Sequence, residues 1–242
     1  MARTRANTTG TGRGSGATAG GAMGGGTAGV QRPEIALPAL RPYDGSGLRP
    51  GGDYDGLEFA DTDLSVTDAA GATFMDCGIY RCSLDSARWE RARLIDTVAE
   101  GVWGVGTDLG GAGLRDVELG DVRMGGVQLH GGQLDRVLVR GGKIDFLNLR
   151  QAALKDVVFE GCVLVEPDFA GAVLERVAFP GCVLRGVDFT QATLTDVDLR
   201  DVAELDISAG AGRLSGAVIR PAQLMDLAPV FAAELGVRVV DG

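Results

Sequence analysis

Residues 159–189 read FEGCVLVEPDFAGAVLERVAFPGCVLRGVDF, and a large apolar residue returns there at every fifth position: Phe159, Leu164, Phe169, Leu174, Phe179, Leu184 and Phe189. Followed outward, the same register holds from Phe59 to Leu199 over 29 consecutive positions, and only Ala69, Ala99 and Gly104 fall short of a Val, Leu, Ile, Met, Phe or Trp. A period of five matches neither the 3.6 of a helix nor the 2 of a strand, so the chain must turn a corner once per repeat. Internal repetition of this length decides the fold before local propensity does.

A second register runs two residues ahead of the first. It holds small or β-branched residues, among them Thr62, Cys77, Ala87, Ala112, Val127, Val157, Cys182 and Val197. The unit is small-x-large-x-x, with two positions inward and three outward. This resembles the pentapeptide-repeat family, whose unit is Ala-(Asp/Asn)-Leu-x-x. Thr62-Asp63-Leu64, Thr107-Asp108-Leu109, Pro167-Asp168-Phe169, Val187-Asp188-Phe189 and Val197-Asp198-Leu199 carry the central triplet or come close to it. The second slot departs from the pattern where it holds Arg, Gly, Val or Gln, and the small slot departs at Gly132, Gly142, Leu147 and Pro167.

The resemblance implies an all-β solenoid, a right-handed quadrilateral β-helix of about seven coils at four pentapeptides per coil. Residues twenty apart then stack at about the 4.8 Å strand spacing. Phe159 is expected on Phe179 and Phe169 on Phe189, with Leu114 to Leu194 forming one aliphatic column and Met124, Ile144, Leu164 and Leu184 another. Like residues in like columns fill each layer evenly. Ala99 and Gly104, beside Trp103, predict a bulge or loosened corner between residues 99 and 106.

Toward the ends the pattern changes. Residues 1–30 are Gly, Thr, Ala, Ser and Arg with little to bury, and read as a disordered tail. It is an uninformative extension or a basic arm using Arg3, Arg5 and Arg13. Residues 31–56, with Pro33, Pro38, Pro42 and Pro50, read as a lead-in that covers the first coil, and 57–220 as the β-helix. After Leu199 the register falters at Glu204 and recovers at Leu214 and Ile219. Within 221–242, Leu224, Leu227, Phe231 and Leu235 are helically spaced between Pro221 and Gly236, which suit a helix start and C-cap. Pro229 predicts a kink or two short helices. Val237 to Val240 reads as a closing strand. The four helical apolar residues are candidate cap contacts, or candidate contacts of a homodimer joined through this end; the chain is otherwise monomeric.

Net charge is −10 over 242 residues. Residues 1–50 hold six Arg against Glu34 and Asp44, a net of +4, so residues 51–242 carry −14. Direct nucleic-acid binding is disfavoured. No apolar run suits a secretory signal or a membrane span. Cys77, Cys82, Cys162 and Cys182 all fall in the small inward slot, where they read as buried hydrophobes and not as a metal site, in keeping with a cytoplasmic address. Arg outnumbers Lys by 21 to 2, the bias of a GC-rich, actinobacterial type of genome.

Stacking by twenty aligns Asp116, Arg136, Asp156, Arg176 and Asp196, and beside them Arg115, Asp135, Lys155 and Glu175 in the opposite phase. Such a checkerboard holds coils in register. Asp68, Asp108, Asp168 and Asp188 share another column, interrupted by Arg88, Gln128 and Asn148. They are the candidate acidic recognition column, although Asp at this slot also braces the corner through the backbone. His130 is the one histidine, no nucleophile has a base, and a filled prism offers no pocket for an acid/base pair, so neither catalytic residues nor a cofactor or metal is expected. The resemblance therefore implies a non-enzymatic interaction scaffold for an unidentified protein partner. The alternative is an acidic DNA mimic that occupies the DNA channel of DNA gyrase, or another topoisomerase, and protects it from fluoroquinolones, as some members of that family do.

Overall fold

The computed structural model describes residues 29–240. The reading of the tail, with Arg3, Arg5 and Arg13, lies outside the described residues. The remainder is a parallel β-solenoid of about nine turns with one C-terminal helix. The count exceeds seven because the register extends beyond the Phe59–Leu199 run. Tyr54 already pairs with Phe74 in the large slot, and at the far end Val197 pairs with Ala217.

Four stacks run along the axis. The first two merge into a 12-stranded sheet, because from Arg93–Glu100 onward single eight- or six-residue strands span both faces. The third is a 6-stranded sheet from Trp103–Val105 to Glu204–Ala209. The fourth is a file of single bridges from Asp68↔Arg88 to Asp168↔Asp188. Partners along the prism are twenty residues apart, as in Leu134↔Leu154 and Ile144↔Leu164.

The corners are made by backbone conformation. From Phe59 to Leu194 the residue two after each large one adopts a left-handed φ: Gly111, Gly131 and Gly171 at 67°, 64° and 68°, but also Asp61 at 50°, Asp116 at 52° and Arg136 at 53°. Among the described residues, seventeen non-glycine residues sit at positive φ, and seven of them are Asp, a residue that tolerates this region better than most.

Inside, the two large columns stack as the spacing predicts. Phe159 and Phe179 lie 5.2 Å apart at an interplanar angle of 4°, and Phe169 and Phe189 5.5 Å apart at 16°. Tyr54, Phe74 and Trp89 form a second aromatic stack near the start, with centroids at 5.0 and 4.6 Å. Between these stacks the core is aliphatic. A cavity of about 110 Å³ lies there, lined by apolar side chains only, including Ala99, Leu119, Leu129 and Val139.

That cavity replaces the bulge expected at residues 99–106. Ala99 keeps register with both Ile79 and Leu119, and Trp103–Val105 pairs evenly with Arg123–Gly125. Hydrogen bonds to both neighbouring coils hold the backbone, so the missing side-chain volume remains as empty space. Gly104 is needed by the backbone itself, since a Cβ there would stand 2.8 Å from the Leu84 carbonyl carbon. The true irregularity lies at Glu204–Ala209, where Val183↔Glu204 and Asp188↔Ala209 are 21 residues apart while Val187↔Ile207 between them keeps twenty. Gly210 at φ 76° and a turn of 3-10 helix at Ala211–Arg213 restore the spacing.

The helix Pro221–Glu234 is continuous through Pro229. The carbonyl that Pro229 leaves unbonded belongs to Met225, which is exposed, so water meets it and no break is forced. Residues 237–240 form no strand. The amides of Gly236 and Val237 close the helix on Ala233 and Ala232, which turns the chain away from the open sheet edge.

Candidate functional site: the outer faces of the prism

On the fourth face the candidate column is tied to its own corners. Oδ1 of Asp68, Asp108, Asp168 and Asp188 accepts the backbone N–H two residues on, from Ala70, Gly110, Ala170 and Thr190, at 3.2, 2.9, 2.8 and 2.7 Å. Asn148 does the same with Arg150, and its amide donates to Gln128 Oε1 at 2.7 Å. Arg88 pairs with Asp68, and Arg150 reaches Asp168 at 2.8 Å. The hydrogen bond that Arg150 donates to Asp168 raises the Arg150 pKa. These residues do share one face, but the face alternates acid, base and amide and is not a bare row of carboxylates.

The checkerboard edge forms ion pairs between successive coils. Arg136 grips Asp116 through Nε and Nη2, both at 2.6 Å, and Arg176 grips Asp156 at 2.8 and 2.7 Å. Arg136 and Arg176 also reach their own neighbours Asp135 and Glu175. Bidentate guanidinium–carboxylate pairs fix geometry as well as charge. Asp156 is only 2 % exposed. The Arg176 guanidinium holds its carboxyl below the usual carboxylate range against the opposing effect of burial, and the Gln31 amide adds to the lowering.

The thiols face inward. Cys77, Cys82, Cys162 and Cys182 are free and buried. Each donates to the carbonyl 23 residues earlier: Tyr54, Phe59, Val139 and Phe159, at 3.1 to 3.5 Å. Thr97 and Thr107 make the same bond to Phe74 and Leu84. The small slot therefore satisfies buried carbonyls, a role that spacing alone did not reveal. Burial pushes the Cys77 and Cys82 thiols up, and the Cys182 sulfur, then burial, does the same to Cys162. Among the described residues no three His, Cys, Asp or Glu side chains converge as a metal site.

At the C-terminal end, Leu227 is buried and Phe231 packs against the core, whereas Leu224 and Leu235 point to solvent. The four candidate contacts therefore divide between the two sides of the helix. A groove of about 370 Å³ opens between Leu214, Ile219, Phe231 and Leu235.

Sequence reasoning missed a contact on the second face. Residues 31–40 do not stop at the first coil. Gln31 N–H donates to Asp156 Oδ1 at 3.0 Å, and Arg32 pairs with Glu160 at 2.9 Å. The available signal was Leu138 and Val158, apolar residues in an outward slot.

These coils define a class of protein built by five-residue turns around a filled core. A family model described as "Pentapeptide repeats" matches residues 168–202 in eight copies. Residues 168–202 thus carry the family's pentapeptide repeats, and the same five-residue register runs on along the prism in the structure. Among solved structures, full-length QnrB1, "a plasmid-mediated fluoroquinolone resistance protein", is similar at 18 % identity over 84 % of this chain and 99 % of that one, with a TM-score of 0.33. HetL from the cyanobacterium Nostoc sp. strain PCC 7120, a pentapeptide-repeat protein "involved in heterocyst differentiation regulation", is similar at 19 % identity over 72 % of this chain and 92 % of that one, with a TM-score of 0.23. No curated protein matches the chain.

Proposed function

We propose that this protein is a non-enzymatic scaffold that offers its rigid outer faces to a protein partner. The observation that carries the reading is where polar chemistry sits. The carboxylate columns stand on convex faces and are hydrogen-bonded into the fold, the thiols are buried against backbone carbonyls, and the interior space is lined by hydrocarbon. Catalytic and ligand sites need concavity with a few convergent polar groups. A solenoid with fixed coil spacing suits the opposite task, presenting an extended surface. Four unpaired thiols fit a cytoplasmic address, and no helix among the described residues is long and apolar enough to cross a membrane. Photo-crosslinkers placed at exposed positions of each face in the full chain test this reading inside cells. One protein should be captured repeatedly from one face; capture spread evenly over all faces, at background level, would sink it.

One observation favours the acidic DNA-mimic reading, the −14 charge on residues 51–242 of a rod. Local pairing weakens it. Asp61, Asp116, Asp156 and Glu204 each face an arginine from an adjacent coil. A gyrase supercoiling assay, with and without a fluoroquinolone and titrated over salt, separates the two. Inhibition or drug protection that fades steeply with salt is the mark of a mimic.

Joining of two copies through the C-terminal end is a further part of this proposal, supported by the exposed Leu224 and by Leu235 at the edge of the apolar groove. Leu224→Asp with Leu235→Asp should then give a monomer of unchanged fold by gel filtration.

A further inference from the structure

Leu138 and Val158 sit on the outside of the sheet. Along Gln133–Arg140 and Ala153–Glu160 the inward side chains are Leu134, Val137, Val139 and Leu154, Val157, Phe159, which leaves Leu138 and Val158 pointing out and paired with each other. Both are nevertheless buried, at 2 % and 3 % exposure, and both stand apart from the contiguous core.

Residues 31–40 are anchored at both ends of the file to which these two belong, which accounts for their burial. One end of this segment is held by Gln31 on Asp156 and Arg32 on Glu160. The other runs into Arg41 and Pro42, which pair with Leu57 and Glu58, and Leu40 lies against the Gly78 position. Between these anchors the face offers Val158, Leu138, Glu118, Val98 and Gly78 in single file, one per coil. Four coil steps cover about 19 Å, and nine extended residues reach up to about 30 Å, so the segment spans the file with slack. Pro33 is buried and Ile35 and Leu37 are half-buried, while Glu34, Ala36 and Pro38 are exposed, the alternation of an extended peptide laid on a surface.

Its attachment is shallow. Among the described residues, the backbone of residues 32–40 makes no hydrogen bond to the solenoid. The connection onward passes through Gly45 and Gly47, at φ 76° and 86° with open space around both. Segments held by few backbone bonds open without global unfolding.

We propose that this face is a docking surface for an extended segment of a partner protein, with an apolar residue at alternate positions and an arginine at one end, and that residues 31–40 occupy it in cis as a displaceable strap. The inference rests on the scaffold reading and names the kind of partner. The strap itself states the chemistry: Arg32 for Glu160, a backbone N–H for Asp156, and Pro33, Ile35 and Leu37 for the apolar file.

The test uses the full chain and a fluorescent peptide of residues 29–41. The variant Ile35→Asp/Leu37→Asp, with its strap released, should bind the peptide at least about tenfold tighter than the wild type, because the competing cis occupant is gone. Adding Leu138→Asp should abolish that binding. A folded strap variant that fails to bind, or binding indifferent to Leu138→Asp, overturns the proposal. Hydrogen exchange on the wild type is a second measurement, independent of the variants. Amides of residues 31–40 should exchange orders of magnitude faster than those of residues 134–139, and protection equal to the core overturns the proposal as well. A wild-type dimer held by exchanged straps would do so too. Failure here with crosslinked capture intact on another face leaves the scaffold reading standing, and the two outcomes are thereby told apart.

Discussion

Val66 is held at φ 53° and is largely exposed, so a β-branched side chain occupies a left-handed corner with no packing to compensate it. That conformation costs roughly 1–2 kcal/mol for an L-residue. Val66→Asn should therefore raise stability by about 1 kcal/mol, read as a higher denaturant midpoint at unchanged slope. The thiols make the opposite kind of prediction. Buried and pushed up in pKa, Cys77, Cys82 and Cys162 should resist a thiol reagent at pH 8 in the native protein and react only on unfolding. Legibility at this scale was uneven. Gly111, Gly131 and Gly171 announce their corners because only glycine visits positive φ freely, whereas Arg81, Gln151 and Phe146 adopt the same conformation with no residue-level signal. Their geometry is imposed by the coil above and the coil below.

The coil is the next element up. The phenylalanine columns were readable because identical residues recur twenty apart, and stacking follows once the coil length is known. The cavity was not, since the sequence reports lost volume at Ala99 but not whether backbone or void absorbs it. Backbone pairing on both sides decided for the void. Ala99→Val should direct two methyl groups toward that space and stabilise the protein by about 0.5–2 kcal/mol, whereas Gly104→Ala should destabilise it, because its Cβ meets the Leu84 backbone. At the end of the stack, Leu227 is 3 % exposed beneath the helix. Leu227→Ala should cost about 2–5 kcal/mol and open the last coil, measurable as a lower unfolding midpoint. The helix was legible from its spacing; its passage through Pro229 was not, because that depends on which carbonyl faces water.

Along the whole molecule, electrostatics work between coils. Asp61, Asp156 and Glu204 are each held below the usual carboxylate range by an arginine of an adjacent coil, Arg81, Arg176 and Arg185, and Asp198 by Arg200 of its own coil. A carboxylate whose folded pKa lies below its unfolded value stabilises the fold above the unfolded value, near pH 4. That contribution fades as pH falls through the folded value. The denaturant midpoint should accordingly be flat above about pH 5 and drop below about pH 4, with a shallower drop in Asp156→Asn. The rod and its charge checkerboard were legible because both follow from the twenty-residue period. The strap was not, because the segment that carries the short alternation Pro33, Ile35 and Leu37 is tied to Asp156 and Glu160 more than a hundred residues away, outside any periodic relation.

The central claim is that a partner is recognised by shaped faces and not by bulk negative charge. Asp68, Asp108, Asp168 and Asp188 permit a direct test, because asparagine keeps the acceptor that closes each corner, as Asn148 already does, while removing the charge. The measurement is the affinity of the crosslinked partner for wild-type protein and for the fourfold Asp→Asn variant, across a salt titration. A change of less than about threefold at every salt concentration is the predicted result, and a loss of a hundredfold or more, with affinity falling steeply as salt rises, would contradict it.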